Sequence, residues 1–558
     1  MENKQIARTL RLLSQLMELH EENSFKIKSV ANAAFKIDKS AVKISGLDLA
    51  ALEKVDGIGK SIAQKVHELN TTGRIEELVQ LLQLTPEGVV SMLNIKGIGP
   101  KKIQIIWKQL EIETIGELYY ACNENRLIEA KGFGLKTQEE IKRIIEFSMS
   151  NVGKLLYVQA EELLNRLEPI LASAQAERIA KTGEFARNCE IVEELAFVVA
   201  TKNPTNFIAK ISENEHLLTT ENTDLQWNGT FDNFIIKIYF CPVDEFEWTL
   251  FQTIGSPKHL ELMQPFLKGH NLSKAKSQEE IYKTAGLQYI PFELREGTSE
   301  IELAKEHKIP QLIGFTDLKG ALHNHSTYSD GIHSLREMAT YCKELGYEYL
   351  GMCDHSKSAF YANGLSEERI FKQHAEIDAL NKELAPFRIF KGIESDILYD
   401  GSLDYSDEIL ASFDLVVASV HSQLKMTEEK ANSRLIKAIE NPFTTILGHP
   451  TGRLLLARTG YPINHKLIID ACAANNVIIE LNANPLRLDM DWRWINYALS
   501  KDVMISINPD AHRKEGFHDM FYGVKVAQKA GLTKEMCFNA LSLEAVLDKL
   551  ETKNSKTV

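Results

Sequence analysis

Disulfide chemistry, secretion and membrane insertion are what this sequence is least equipped for. Only seven cysteines occur in 558 residues, and none stands in a CxxC pair. Scattered thiols of this kind suit a reducing compartment, so a cytoplasmic setting is expected. No apolar run reaches the ~18 residues that a membrane helix needs. The opening MENKQIARTLRLL lacks the charged-then-apolar profile of a signal peptide. A net charge of −13 excludes global attraction to nucleic acid, so any such binding requires a local basic face. The remainder, 44% hydrophobic and 25% charged, is an ordinary globular composition with room for several domains.

That composition is unevenly spread. Residues 1–150 are nearly charge-balanced, so most of the acidity lies further along. They read as helices joined by glycine turns, with apolar residues at helical spacing in IARTLRLLSQLMEL. Two segments, Val55-Asp-Gly-Ile-Gly-Lys60 and Ile95-Lys-Gly-Ile-Gly-Pro100, are close copies, and Ala130-Lys-Gly-Phe-Gly-Leu135 is a weaker third. GxG between helices lets the chain turn where a side chain would clash. It also leaves backbone N–H groups free at the start of the second helix, where they can hold a phosphate oxygen. Gly57, Gly59, Lys60, Gly97, Gly99, Lys101 and Lys102 are therefore candidate phosphate contacts. The alternative is a plain helical corner with no ligand. Residues 151–300 read as mixed α/β, with strands at AFVVAT and NFIIKIYF.

From about residue 310 to 550, short apolar strands alternate with helices or long loops: GALHNH, YLGMCDH, FKGIESD, LVVASVH, TILGHP, VIIELNAN and VMISINPDAH. The pattern implies parallel βα units, whose active sites lie at the carboxyl ends of the strands. Nine potential metal ligands fall at those ends: His323, His325, Asp330, His355, Glu394, His421, His449, Asp510 and His512. His323 and His325 are two apart, as are Asp510 and His512, so strand period places each pair on one face. Oxygen and imidazole ligands in this number suit a multinuclear site that cleaves phosphate esters. His333 and His374 are read instead as structural. Arg453 and Arg487 are candidate phosphate clamps, with a surface salt bridge as the equal alternative. Asn482 and Asn484 either line the same mouth or form the turn.

Nearly the whole chain resembles bacterial family X DNA polymerases fused to a PHP phosphoesterase domain. The glycine segments look like helix-hairpin-helix motifs, which grip the DNA backbone without reading sequence. His323-Asn-His325 with Ser329-Asp-Gly331, Asp354-His355-Ser356, Glu394, His421, His449 in GHPTGR and Asp510-Ala-His512 resemble the PHP motifs in order. The resemblance implies a multidomain chain that begins with a helical lyase-like domain over 1–90 and a fingers-like domain over 91–150. An α/β nucleotidyltransferase-like palm and thumb would follow over 151–305, then a distorted (β/α)7 PHP barrel over 315–550. It also implies three divalent cations, zinc or manganese ahead of magnesium, with Asp330, His355 and Glu394 catalytic. One cation would sit on His323, His325, Glu394 and Asp510, a second on Glu394, His421 and His449, and a third on Asp330, His355 and His512. Lys65 stands where family X lyase domains form a Schiff base with an abasic sugar. A solvated lysine touching phosphate is the plainer reading.

The palm departs from the family pattern of a GS–RR stretch, two aspartates one residue apart, and a third opening a later strand. Gly183 and Arg187 persist, but the serine position holds Glu184 and the first arginine position holds Ala186. The paired aspartates fall at Glu194 and Ala196, and the third at Lys237. Nucleotidyl transfer needs acidic oxygens to hold two metal ions, and one carboxylate beside an alanine and a cation cannot supply them. The expected function is a DNA-repair phosphoesterase acting on gapped, nicked or 3′-blocked DNA, by 3′→5′ exonuclease action, 3′-end processing or abasic-site nicking. Polymerase activity and membrane association are expected to be absent, and the protein to be cytoplasmic and nucleoid-associated when on DNA. The alternatives are an active gap-filling polymerase with an editing nuclease, and a non-catalytic DNA-end binding module.

Overall fold

A computed structural model describes residues 1–40, 42–110, 112–115, 118, 121–122, 127, 130, 132–150, 153–456 and 459–554. Two compact units divide the chain at Val152 and Gly153. No helix among the described residues is long and apolar enough to cross a membrane. The seven cysteines are all free thiols, and all but Cys189 are buried.

The first unit is helical. Helices α1 (Asn3–Leu19) and α2 (Ser24–Asp38) share a core in which Ile6, Leu10, Leu13 and Met17 meet Val30, Ala33 and Ile37. The glycine hairpins lead into α3 (Lys60–Thr72), α4 (Pro100–Gln104) and α5 (Leu135–Ser150). The stretch after the second hairpin does not continue as one regular helix. Beyond Gln104 it widens, and the Leu110 N–H reaches back five residues to the Ile105 carbonyl at 3.2 Å. Lys131, inside the third glycine segment, lies outside the described residues.

The second unit begins with a mixed sheet of β1 (Arg178–Thr182), β2 (Leu195–Ala200), β3 (Leu217–Asn222), β4 (Gln226–Phe231) and β5 (Phe234–Cys241), in the order β1-β2-β5-β4-β3. Only β2 and β5 run parallel, which places Ala196 directly opposite Lys237. The barrel follows as β6 (Gly320–Ala321), β7 (Tyr349–Met352), β8 (Arg388–Asp396), β9 (Leu415–Ser419), β10 (Ile446–Leu447), β11 (Ile478–Asn482) and β12 (Ile505–Asn508). All seven strands are parallel and neighbours in sequence order. Side chains alternate along them: Leu415 and Val417 join an inner cluster with Phe390 and Phe538, while Val416 and Ala418 face a larger apolar layer shared with the outer helices.

The first and last strands almost close the ring. At the carboxyl end Asn324 pairs with Ala511, and the His325 N–H donates to the Ala511 carbonyl at 2.9 Å. Lower down, the Asn539 amide substitutes for a strand. It donates to the carbonyls of Gly320 and Ile507 and accepts from the Ile507 N–H. Edge groups that water would otherwise have to satisfy are thereby paired.

Buried ionic contacts join the mixed sheet region to the barrel. Glu296 pairs with Arg187 Nε at 2.7 Å and with Lys529, whose Nζ also donates to the Arg187 carbonyl at 3.2 Å. Glu190 accepts from Trp492 Nε1 at 2.9 Å and from Arg493 Nη1 at 2.8 Å. Removing one partner from such a cluster leaves a buried charge uncompensated, which typically costs about 3–5 kcal/mol.

Candidate metal centre

The strand ends deliver their ligands to one point. His323 and His325 follow β6, His355 follows β7, Glu394 lies within β8, His421 follows β9, His449 follows β10, and Asp510 and His512 follow β12. Two of these backbones adopt positive φ, +22° at His449 and +51° at Asp510. Non-glycine residues hold that region only where surrounding bonds enforce it, and such positions gather at functional sites.

Glu394, 1% exposed, is the centre. Its Oε1 lies 3.0 Å from His449 Nε2, 3.1 Å from His421 Nε2 and 3.3 Å from His323 Nε2. Its Oε2 lies 2.9 Å from His355 Nδ1 and 3.7 Å from His325 Nε2. Asp510 Oδ1 is 3.0 Å from His325 Nε2 and 3.7 Å from His323 Nε2. Asp330 faces the other side, 3.4 Å from His512 Nε2 and 3.7 Å from His355 Nε2. All nine expected side chains therefore meet in one pocket of charge.

Three groups bring ligand atoms within 4.8 Å of one another: His325, Asp330, His355 and His512; His323, His325 and Asp510; His355, Glu394 and His421. They overlap the expected assignment but divide it differently, because His325 and His355 each belong to two groups and His449 reaches the cluster through Glu394. The donor set fits divalent cations. His323 Nε2, His325 Nδ1 and Glu394 Oε2 are buried without a hydrogen bond, an arrangement that costs free energy unless a further partner arrives. Mixed imidazole and carboxylate ligands suit zinc or manganese.

The charges show the same need for a cation. Burial opposes ionisation, yet His421, His323 and His355 hold the Glu394 carboxyl well below its ordinary range. Burial would lower His421, but Glu394 and Asp396 push it up to about 10. His512 rises to about 9 against burial because Asp330 and Asp510 flank it. His325, buried beside His512 and His355, falls to about 3. The same carboxylates that raise His421 and His512 would favour a bound cation.

Carboxylates behind the ligands were not anticipated. His421 Nδ1 is paired with Asp396, and His323 Nδ1 lies 2.7 Å from Glu480. Asp354 gathers Ser326, Ser329 and Gln373 and so fixes the loop that carries Asp330. A signal for Glu480 was present, a charged residue at a buried position of the otherwise apolar VIIEL strand.

The two arginines part company. Arg453 is not available as a phosphate clamp, because its fork is spent within the protein. Nη1 pairs with Asp491 at 2.9 Å, Nε donates to the Arg487 carbonyl at 3.0 Å, and Nη2 donates to Leu488. The Arg487 side chain is half-buried and makes no hydrogen bond or ion pair among the described residues. Asn482 touches the centre, donating to Asp510 Oδ2 at 3.1 Å, whereas Asn484 shapes the turn by accepting from the Leu486 N–H. His374 is buried and falls to about 4, with burial first and Lys391 second among the causes.

Away from the barrel, the glycine hairpins share one geometry. Gly57, Gly97 and Gly132 have φ of +82°, +92° and +88°, and a Cβ on Gly57 would meet the Lys36 side chain at 2.1 Å. The Ile58 and Ile98 N–H groups close the turns onto Val55 and Ile95. Extended Gly59 and Gly99 then cap α3 and α4 without a side-chain bond, which leaves N–H groups at Lys60, Ser61 and Lys101 able to hold an anion. Lys65 is 15% exposed and paired with Glu77, which Lys26 also contacts.

In the mixed sheet, Lys237 Nζ lies 2.6 Å from Glu194, and Ala196 occupies the register position between the strands. Glu184 accepts the Glu193 N–H at 2.7 Å, and burial raises its carboxyl.

Comparison with known proteins agrees with this architecture. Residues 1–75 match the helix-hairpin-helix domain, residues 89–146 a SAM-like helix-hairpin-helix tandem, and residues 321–484 the PHP domain. The DNA polymerase/3′-5′ exonuclease PolX of Bacillus subtilis (strain 168) is 33% identical, over 98% of this chain and 99% of its own length. This chain belongs to the PolX family. It joins a family X polymerase framework to a PHP domain. A probable phosphatase of Syntrophotalea carbinolica is 27% identical over 41% of the chain and 93% of its own length. A probable phosphatase of Thermoanaerobacter sp. is 25% identical over 39% of the chain and 88% of its own length.

Proposed function

We propose that this PolX family member is a DNA-binding, metal-dependent phosphodiesterase whose chemistry resides in the barrel alone. The convergence of nine ligands on buried Glu394 carries this reading. When bound, divalent ions there supply Lewis acidity that polarises a phosphoester and acidifies water. The protein's own side chains do the rest. His323, His325 and Asp510 would hold one ion with Glu394 beside them, and Glu394 with His421 and His449 would hold a second. Asp330, with His355 and His512, stands on the more open side. Arg487, whose side chain makes no ion pair among the described residues and which follows by five residues the Asn482 that touches Asp510, is the residue we assign to hold a phosphate oxygen.

The substrate is DNA from its 3′ end, by exonuclease action, removal of a blocking group, or nicking at an abasic site. This is repair chemistry in the cytoplasm, on gapped, nicked or blocked ends. The hairpins hold the duplex backbone through N–H groups and Lys60, Lys101 and Lys102, with 1–90 and 91–150 as the two binding domains. The segment 151–305 is a palm and thumb kept as a framework. Its single surviving carboxylate, Glu194, is neutralised by Lys237, and Arg187 is committed to Glu296 and Lys529.

The deciding assay offers gapped, 3′-phosphate and abasic duplexes with manganese, zinc or magnesium, with and without deoxynucleotides. Metal-dependent shortening of the labelled strand is expected. Silence on every substrate would instead favour a binding module. Exchanging Lys60, Lys101 and Lys102 together for alanine should weaken binding equally on unrelated sequences. The slope of log K against log salt should shrink by about 0.9 for each lysine that neutralises a phosphate of duplex DNA. An unchanged slope would remove the hairpins from the interface.

A further inference from the structure

Glu480 is fully buried on β11, the one barrel strand that contributes none of the nine ligands. Its carboxylate is saturated by donors. Oε1 accepts the His449 N–H at 3.1 Å and Asn482 Nδ2 at 3.1 Å, and Oε2 accepts His323 Nδ1 at 2.7 Å and Asn508 Nδ2 at 3.0 Å. A carboxylate offers about four lone-pair sites, so none remains for a cation. Glu480 is therefore not a tenth ligand.

What it touches defines its role. The bond from His323 Nδ1 fixes that ring's orientation and turns Nε2 toward Glu394, 3.3 Å away, and Asp510, 3.7 Å away. The bond to the His449 N–H holds a backbone whose φ is +22°, and with it the direction of His449 Nε2 toward Glu394. Asn482 bonds Glu480 and Asp510 with the same amide group, which extends the brace to a third ligand. One buried anion thus sets His323, His449 and Asp510, which come from three different strands.

We infer that Glu480 is the positioning residue of the metal centre, aligning these ligands before any cation arrives. The inference rests on the reading that the nine side chains hold metal. Glu480→Gln keeps the shape but replaces one acceptor with an NH2 group that must face donors. The loss of such an orienting partner typically weakens metal affinity roughly 10–100-fold.

The experiment uses the full chain stripped of metal and titrated with Co2+, followed by visible absorption, which reports ligand number and geometry directly. The expected result is Co2+ binding at least tenfold weaker in Glu480→Gln, with altered absorption bands and a metal-free far-ultraviolet dichroism spectrum like the wild type. If the glutamine variant does not fold, Glu480→Asp keeps the charge but withdraws it by one methylene from His323, and the same weakening is expected. Equal affinity and identical bands in a folded variant would overturn the positioning role and leave the metal reading intact. Failure of the wild type to bind Co2+ would overturn both.

Discussion

Asp330→Ala and His355→Ala are each expected to lower metal-dependent cleavage of a 3′-labelled strand by roughly a thousandfold, about 4 kcal/mol of transition-state stabilisation. The two residues matter because they face the open side of the centre. Asp330 is the only carboxylate in the group it forms with His325, His355 and His512. Three neutral imidazoles leave a dication's charge uncompensated, so loss of Asp330 weakens that group and removes the one anionic oxygen on its open side. His355 stands in two groups and approaches both Asp330 and Glu394, so its removal damages each. The Asp330 side chain is 32% exposed and outside the apolar clusters, so the alanine variant should still fold. Binding to DNA through the hairpins should also persist, which separates lost chemistry from lost affinity. Glu394→Ala would be a poorer test, since opening a fully buried centre threatens the barrel itself. Undiminished turnover in both alanine variants would place the chemistry elsewhere in the chain.

Much of this centre was legible because strand ends are legible. An apolar run that stops at a histidine or aspartate announces both the strand and the ligand, and the seven runs emerged as seven parallel strands, six of them with ligands at their carboxyl ends. The hairpins were legible for a similar reason, since glycine takes the left-handed turns at Gly57 and Gly97 at the least cost. What stayed hidden was partnership across long sequence separations. Nothing near Arg453 foretells that Asp491 and two distant carbonyls will occupy its guanidinium. The same holds for Glu480, whose partners His323, His449 and Asn508 lie on three other segments. Nor could one sequence show that Arg187, a residue the palm pattern retains, would be turned inward to Glu296.

That last contact bears on the second expected result. Primer extension across a one-nucleotide gap, with magnesium or manganese and all four deoxynucleotides, should give no product. In the palm the three expected acidic positions are Glu194, Ala196 and Lys237, and the sheet register sets the last two face to face. Glu194 lies 2.6 Å from Lys237, so its charge is answered by an ammonium rather than left for a cation. A two-metal clamp gathers carboxylate oxygens around the attacking and leaving groups, and in the proposed palm an ammonium and a methyl group stand at two of the three acidic positions. Glu184 adds a negative charge where a triphosphate would need donors, and its carboxylate is already bonded to the Glu193 N–H. These obstacles are independent, so Lys237→Asp alone should not restore synthesis: Ala196 still withholds an oxygen and Glu184 still repels phosphate. The same single change should, however, separate Glu194 from its counter-ion and place two like charges side by side. A lower melting temperature without any gain of extension is therefore the expected signature. Lengthening of the primer by the unmodified protein would show that carboxylates elsewhere hold the ions, and would return this palm to catalysis.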